Sequence, residues 1–399
     1  MKKILSVLMV IVMLVSGTVF ASAKTDDKLK FGADGKFEIL VFADIQSGFP
    51  VGEALKAFMA EALDTAKPDL VIFLGDNIMS PEDGTVESYW KGYDEVFPIL
   101  TERSVPFTFV FGNHDDESAP TITKEEMLVK YQSYAGCLAY DADPSLHGCA
   151  THNLPIYSND GSKLEYNLWL MDSGDYAYGE DGHRFYDCVR ADQLEWYKGV
   201  SKSLEAEAGA KVPSLMFQHI IPQEVAQTIM PVLPFQLGKI TYNFTDGSAY
   251  SYFPPMFLNF KGIVSEHPCP SEDNEGQWDT LVERGDVKAV FTGHDHTNRF
   301  IANVNGIDGV NVPGSTFKSY NSFIEQGAML ITLDENNLDS YSTDMIYTSD
   351  LAVKDGSKIA GADLARSAFG YHAAVICRKV ANFLLDLVRN YLAPVVGLL

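Results

Sequence analysis

Five times along this chain a short apolar run, rich in β-branched and aromatic residues, stops abruptly at carboxylate, amide or imidazole side chains. Phe37–Ala43 runs into Asp44-Ile45-Gln46, and Asp69–Leu74 into Gly75-Asp76-Asn77. Pro106–Phe111 ends in Gly112-Asn113-His114-Asp115. Pro213–Gln218 leads into His219, and Val287–Thr292 into Gly293-His294-Asp295-His296. Continuous apolar runs of this length suit strands buried on both faces, and only a sheet covered on both sides can accommodate several of them. Helical patterns over Val51–Ala66 and Glu87–Glu102 alternate with the first three runs, and further strands are expected at Glu165–Met171 and Met329–Leu333. Strands alternating with helices predict an α/β fold built on a largely parallel sheet.

Polar residues at the ends of parallel strands point to one edge, because open α/β sheets bind ligands beyond the carboxyl ends of their strands. A lone Asp there is commonly a helix cap, and a lone His commonly a structural hydrogen-bonding residue. Five blocks in series are a different proposition. Together they offer Asp44, Gln46, Asp76, Asn113, His219, His294 and His296 as ligands, a mixed oxygen and nitrogen set suited to Mn, Fe or Zn and unlike a thiolate site. Gly75, Gly112 and Gly293 suit sharp turns at these positions and close backbone approach. The chain contains no nucleophile-elbow Gly-x-Ser-x-Gly, no Walker-type phosphate loop and no Gly-x-Gly-x-x-Gly following a strand.

These blocks resemble the signature of the calcineurin-like metallophosphoesterase superfamily. That signature reads Asp-x-(His/Gln), Gly-Asp, Gly-Asn-His-Asp, a later His and Gly-His-x-His, and the likeness spans about Phe37 to Leu333. Trp169–Tyr176, Ala191–Trp196 and Gly293–Asn298 further resemble its purple-acid-phosphatase-like branch in bacteria and fungi. The resemblance implies a four-layer α/β/β/α sandwich with two metal ions at the carboxyl ends of the strands. Asp44, Gln46 and His296 would hold one ion, Asn113, His219 and His294 the other, and Asp76 would bridge them. The implied chemistry is hydrolysis of a phosphate ester by in-line attack of a metal-bridging hydroxide. His114 would contact the phosphate and protonate the leaving oxygen, with Asp115 orienting its ring or capping a helix. Asp172 and Asp295 are expected behind the ligands.

The chain departs from the pattern in two places. Gln46 stands where many members carry a His, a neutral and harder donor that shifts the first site toward Mn or leaves it without a ligand there. Met79 stands where purple acid phosphatases carry a metal-binding Tyr, so tyrosinate–iron chemistry is not expected. A phosphomonoesterase acting on small organic esters is the leading reading, with a phosphodiesterase or nucleotide pyrophosphatase as the alternative. A metal-binding surface protein without turnover is the distant third, disfavoured by the presence of His114.

Charge narrows the partners. With 30 basic and 54 acidic residues the formal net charge is −24. Such a body repels polyanions, so nucleic acid is not an expected partner, and an anionic ester would be received only where bound cations reverse the field.

Outside the catalytic span, placed at residues 24–355, three segments stand out. Lys2 and Lys3, an apolar run from Ile4 to Phe20 and Ala21-Ser22-Ala23 form the three parts of a secretory signal peptide over residues 1–23, which reads alternatively as an uncleaved anchor. Ile229–Gln277 is an irregular, aromatic-rich insertion that suits a lid over the site or a packed surface excursion. From residue 356 to 399 the tail predicts a helix over Leu364–Leu392. Arg378, Lys379, Asn382, Asp386 and Arg389 form one stripe, and Ile376, Val380, Phe383, Leu384, Leu387, Val388 and Tyr391 the other. That helix suits a membrane surface or packing back onto the body. Of five cysteines, Cys137 and Cys149 bracket a short stretch in which secretion would permit a disulfide. Nothing in the sequence sets an oligomeric state.

Overall fold

The computed structural model describes residues 28–117, 121–229, 240–243, 249–252, 260–387 and 390. Within them the apolar runs form two sheets packed face to face. One has five strands in the spatial order Tyr341–Tyr347, Gly327–Asp334, Lys36–Phe42, Leu70–Leu74, Phe107–Val110. The other has eight, in the order Leu29–Lys30, His152–Tyr157, Leu164–Leu170, Ser214–Phe217, Val287–Thr292, Ile307–Asn311, Arg299–Val304, Lys261–Ile263. The three strands Lys36–Phe42, Leu70–Leu74 and Phe107–Val110 are mutually parallel, as are the four from Leu164–Leu170 through Ile307–Asn311. Most flanking strands are antiparallel, so the expectation of a largely parallel sheet holds for the two centres and not for the edges.

The period-two geometry of a strand explains the layers. Along Lys36–Phe42, Ile39 and Val41 face the second sheet and meet Leu168, Leu170, Phe217 and Phe291 in the central core. Leu40 and Phe42 face the other way, against Phe58 and Met59 of the helix Glu53–Ala66 and Tyr89 and Tyr93 of the helix Val86–Val96. On the far side Trp169, Met216 and Val290 pack under Leu194 and Tyr197 of the helix Ala191–Ala208 and Trp278 and Leu281 of Gln277–Arg284. Full burial of side chains this size contributes roughly 1.5–3 kcal/mol each. The result is an α/β/β/α sandwich.

Local chemistry sets the element boundaries. The helix predicted over Glu87–Glu102 ends at Val96 and restarts as Pro98–Thr101, since Pro98 has no N–H to continue the ladder and suits the first turn of a new helix. Thr85 caps the first piece by accepting the Ser88 amide. Cys137 and Cys149, between which secretion would permit a disulfide, are free thiols here. The backbone of Cys137 is held against Phe107, whereas the Cys149 amide donates to Asp172 Oδ2 at 2.8 Å.

Three sequence readings fall wholly or partly outside the described residues: the signal peptide, residues 230–239, 244–248 and 253–259 of the insertion, and the last residues of the tail. The described parts of the insertion include a hairpin, Ile240–Asn243 with Ala249–Tyr252, and the edge strand Lys261–Ile263. In the tail, Ile359 and Tyr371 are buried in the same cluster as Phe58 and Tyr89.

Candidate metal centre

All five strand ends converge on one edge, where the backbone joins the two sheets. The Asp44 amide donates to the Gly75 carbonyl at 3.2 Å and the Gln46 amide to the Asp76 carbonyl at 2.9 Å. The Gly293 amide donates to the His219 carbonyl, and the His294 amide to Asp44 Oδ2 at 3.0 Å. Close approach explains the glycines: a Cβ on Gly112 would lie 2.2 Å from Asp76 Oδ1, and one on Gly75 would lie 2.4 Å from His219 Nδ1. Asp44, Gln46, Asp76 and His294 all adopt left-handed φ angles between 36° and 69°. Side chains other than glycine pay for that conformation, and such strain concentrates where a site must aim its groups.

The seven sequence-predicted ligands are all buried and all meet here. Asp44, Asp76 and His296 each bring a donor atom into one group spanning no more than 4.8 Å. His296 Nε2 lies 3.4 Å from Asp44 Oδ1, and His219 Nε2 lies 3.4 Å from Asp76 Oδ2. Whether these residues fit a metal can be judged from their unmet bonds. Gln46 Oε1, Asn113 Oδ1, His219 Nε2 and His294 Nε2 are buried with no hydrogen-bond partner. A buried polar group left unpaired costs on the order of 1–3 kcal/mol, so four converging at one edge call for a shared ligand. In each case the opposite end of the side chain is already tethered where a partner is seen. Gln46 Nε2 donates to Asp76 Oδ2 at 3.1 Å, Asn113 Nδ2 to the Tyr176 hydroxyl at 3.0 Å, and His219 Nδ1 to the Leu74 carbonyl at 2.8 Å. His296 Nδ1 likewise donates to the Tyr320 carbonyl at 2.7 Å. Tethering one ring nitrogen or the amide nitrogen fixes the other donor for a cation. The residues fit metal ions, and Gln46 is aimed as a ligand.

Electrostatics agree. Burial opposes charge on His219, but the carboxylates of Asp76 and Asp44 prevail and hold its imidazole up at about 10. Burial and Asp44 act in the same opposed way on His296, which settles at about 9. Burial would lift Asp76, yet His219 and His114 keep it far below the usual carboxylate range. Burial and the neighbouring His219 push His294 down, leaving it neutral.

The outer residues divide. Asp115 does not orient His114; its carboxylate accepts the amides of Gly112, Asn77 and Asp76 at 2.8, 2.8 and 3.0 Å and so fixes two of the strand ends. Glu117 takes the orienting place, with Oε2 2.6 Å from His114 Nδ1, and the His114 amide donates to Asp76 Oδ1 at 2.8 Å. Asp172 lies behind the site, accepting Cys149 and Gly174 amides and facing Lys124 at 3.3 Å. Asp295 accepts the Cys269 amide at 3.1 Å and lines the cavity. That cavity, about 330 Å³, is walled by Met79, Tyr186, Cys269 and Tyr320 as well as by Gln46, Asp76, His114, Glu117, His294 and His296. Tyr186 lies edge-on to His294 at 4.4 Å, and Tyr320 stacks on His296 at 4.2 Å. Sequence reading missed Glu117, Tyr176, Tyr186 and Tyr320. The Asp172-Ser-Gly-Asp-Tyr176 stretch was visible, but not which of its residues touches a ligand.

Asn113→Ala and His294→Ala should each lower bound metal measured by elemental analysis by about one equivalent, and Tyr176→Phe should weaken uptake without abolishing it, by roughly 10–100-fold in affinity. An unchanged metal content in Asn113→Ala would remove it as a ligand. The raised histidines give a second expectation. Both titrate above the ordinary value of 6.5, so the ion pairs stabilise the metal-free fold fully below that pH and lose their contribution as pH rises through about 9 to 10. Loading metal at neutral pH should therefore release roughly two protons, seen as a buffer-dependent heat in titration calorimetry, with affinity rising with pH. A buffer-independent heat would contradict it.

Known proteins resemble this chain over most of its length. Residues 37–298 match the family model described as calcineurin-like phosphoesterase. The chain is 30% identical over 344 residues to the probable inactive purple acid phosphatase 29 of Arabidopsis thaliana, covering 77% of this chain and 79% of that one. It is 29% identical over 327 residues to probable inactive purple acid phosphatase 14 of the same plant, covering 73% and 74%. Among solved structures, a dimetal phosphatase from Danio rerio aligns over 78% of this chain and 96% of its own at 12% identity, with a TM-score of 0.48. The chain belongs to the calcineurin-like phosphoesterase family, with purple-acid-phosphatase-like relatives, and is a metal-dependent phosphoesterase.

Proposed function

We propose that the chain is a secreted phosphomonoesterase that uses two metal ions, Mn, Fe or Zn, to hydrolyse small organic phosphate esters. The observation that carries this reading is the set of four unpartnered donor atoms beside a His114–Glu117 pair on one cavity wall. Among the described residues no Lys or Arg lines that cavity, while Asp76, Glu117 and Asp295 do, so apart from its imidazoles the protein offers a phosphate no positive charge there. Two divalent ions against the donor carboxylates of Asp44 and Asp76 leave an excess of positive charge that suits a monoester dianion. At about 330 Å³ the cavity sits at the low end of ligand pockets, which favours a small ester. The Lys2–Ala23 leader supports secretion.

Asp44, Gln46 and His296 would hold one ion and Asn113, His219 and His294 the other, with Asp76 between them. Bound there, the ions supply Lewis acidity toward phosphoryl oxygens and lower the pKa of water. The remaining work falls to the chain. Glu117 on Nδ1 fixes the His114 ring, leaving Nε2 as the atom that delivers a proton to the leaving oxygen. The bond from the His114 amide to Asp76 ties that acid to the metal-bearing loop. The rings of Tyr186 and Tyr320 stand against two ligand imidazoles and restrict water around them. The relatives named above carry the word inactive in their names; here the donor set and the acid–carboxylate pair are both complete, which supports turnover.

A phosphodiesterase or nucleotide pyrophosphatase remains the second reading, favoured by Gln46 and by the aromatic walls that would stack a base. A panel decides between them. Purified protein loaded with Mn, Zn or Fe is expected to hydrolyse p-nitrophenyl phosphate faster than the bis-ester or ADP-ribose; the reverse order would sink the monoesterase reading. His114→Ala should keep both metals and lose about 10²–10⁴ in kcat. Glu117→Gln should lose less. Normal kcat in His114→Ala would end its role as acid.

A further inference from the structure

The strands Tyr176–Tyr178 and Arg184–Tyr186 form a hairpin that is a two-stranded sheet of its own. Ribbons of two strands are marginal by themselves, so this one depends on what holds its ends and its rings. Its base is closed by the Asp187 amide, which donates to the Asp175 carbonyl at 3.2 Å. There Asp175 Oδ1 accepts from Lys124 Nζ at 2.6 Å, and Asp187 Oδ2 lies 2.7 Å from His147 Nε2. Farther up, Tyr176 and Tyr186 are paired in register and their rings stack at 5.6 Å. The Arg184 guanidinium lies 4.3 Å over the Tyr176 ring. Pinned at base and ring, the hairpin presents the Tyr176 hydroxyl at a fixed place.

That place lies between two parts of the metal edge. Asn113 Nδ2 donates to the hydroxyl at 3.0 Å, while Asn113 Oδ1 is one of the buried atoms left for a cation. The same hydroxyl is hydrogen-bonded to the Glu117 carboxylate, whose Oε2 lies 2.6 Å from His114 Nδ1. Donor and acceptor chemistry sets the direction of each bond. An amide nitrogen only donates and a carboxylate only accepts, so the phenol accepts from Asn113 and gives its one proton to Glu117, which also takes the Nδ1 proton of His114. The amide cannot turn over without aiming its Nδ2 hydrogens at the cation position.

The His114 and Glu117 side chains are 44% and 41% exposed, so packing does little to hold them and hydrogen bonds must. Bonds in a chain of this kind order and polarise one another.

We propose that the Tyr176 hydroxyl is a positioning group that couples the donor Asn113 to the His114–Glu117 pair. It holds Glu117 where that carboxylate orients His114, and does so best once Asn113 is itself held by a bound ion. No proton travels along the chain; the one that reaches the leaving oxygen comes from His114 Nε2 as the P–O bond breaks. This coupling rests on His114 being the acid.

Tyr176→Phe keeps the ring stack and removes only the hydroxyl. With metal at saturation, two esters of the class the chain hydrolyses faster are compared. One releases p-nitrophenolate, which departs without a proton, and the other an alkyl alcohol, which requires one. In Tyr176→Phe kcat should fall at least about tenfold for the alkyl ester and less than about twofold for the aryl ester, with KM unchanged. His114→Ala should show the same preference more strongly, and adding Tyr176→Phe to it should cost nothing further. A second readout needs no turnover. In zinc-loaded protein the Nδ1 proton of His114, identified by its loss in His114→Ala, should exchange with water at least about tenfold faster in Tyr176→Phe. Equal losses on the two esters, full additivity with His114→Ala, or unchanged proton exchange overturns the proposal. A His114→Ala variant without the leaving-group preference removes the acid and the coupling with it, whereas a preference that only Tyr176→Phe lacks removes the coupling alone.

Discussion

Two carboxylates, Asp44 and Asp76, are buried at the point where both sheets end, and much of the surrounding structure answers their charge. Isolated carboxylates in such a place would cost several kcal/mol each, and among the described residues their ion-pair partners are imidazoles rather than lysines or arginines. His219 and His296 take up protons in response, an arrangement that serves a metal site because the same imidazoles become ligands once the protons leave. The backbone obeys the same demand. Asp44, Gln46, Asp76 and His294 accept left-handed conformations, and Gly112 and Gly75 yield the space a side chain would occupy. Such strain persists only where surrounding bonds overdetermine it, and the amides collected by Asp115 are an instance.

This explains why the site was more legible than the fold around it. A ligand at a strand end leaves two marks in sequence, an apolar run and an abrupt polar stop, and five repetitions of that mark located all seven donors. A sheet covered on both faces followed from strands too apolar to face water on either side, whereas the four layers were implied by the family resemblance. The outer strands were harder: the antiparallel partners His152–Tyr157 and Arg299–Val304 alternate weakly in sequence and owe their direction to pairing, not to pattern. The break at Pro98 was written in the sequence, and reading one helix through it neglected the missing amide.

The residues that sequence missed share a physical character. Glu117, Tyr176, Tyr186 and Tyr320 act on ligands across the fold rather than from a strand end, through one hydrogen bond or one ring contact each. Nothing in local periodicity distinguishes a tyrosine that braces a ligand from one that fills a core. Assigning Asp115 to His114 erred for a related reason: adjacency in sequence suggested the pair, but the turn directs the Asp115 carboxylate back into the loop amides and brings Glu117, three residues from His114, to the ring.

The same distinction between pattern and placement governs the C-terminal helix. Its periodicity announced an amphipathic helix correctly, and ordinary reasoning would have turned the apolar stripe inward. Placement depends instead on Arg378, whose guanidinium finds a carbonyl, a hydroxyl, a carboxylate and an aromatic face in one pocket of the body. Bonds to a charged group contribute about 1.5–3 kcal/mol each, enough for several together to compete with burying two or three apolar side chains. A polar anchor on one face leaves the apolar side chains of the other, Phe369, Ile376 and Phe383 among them, exposed.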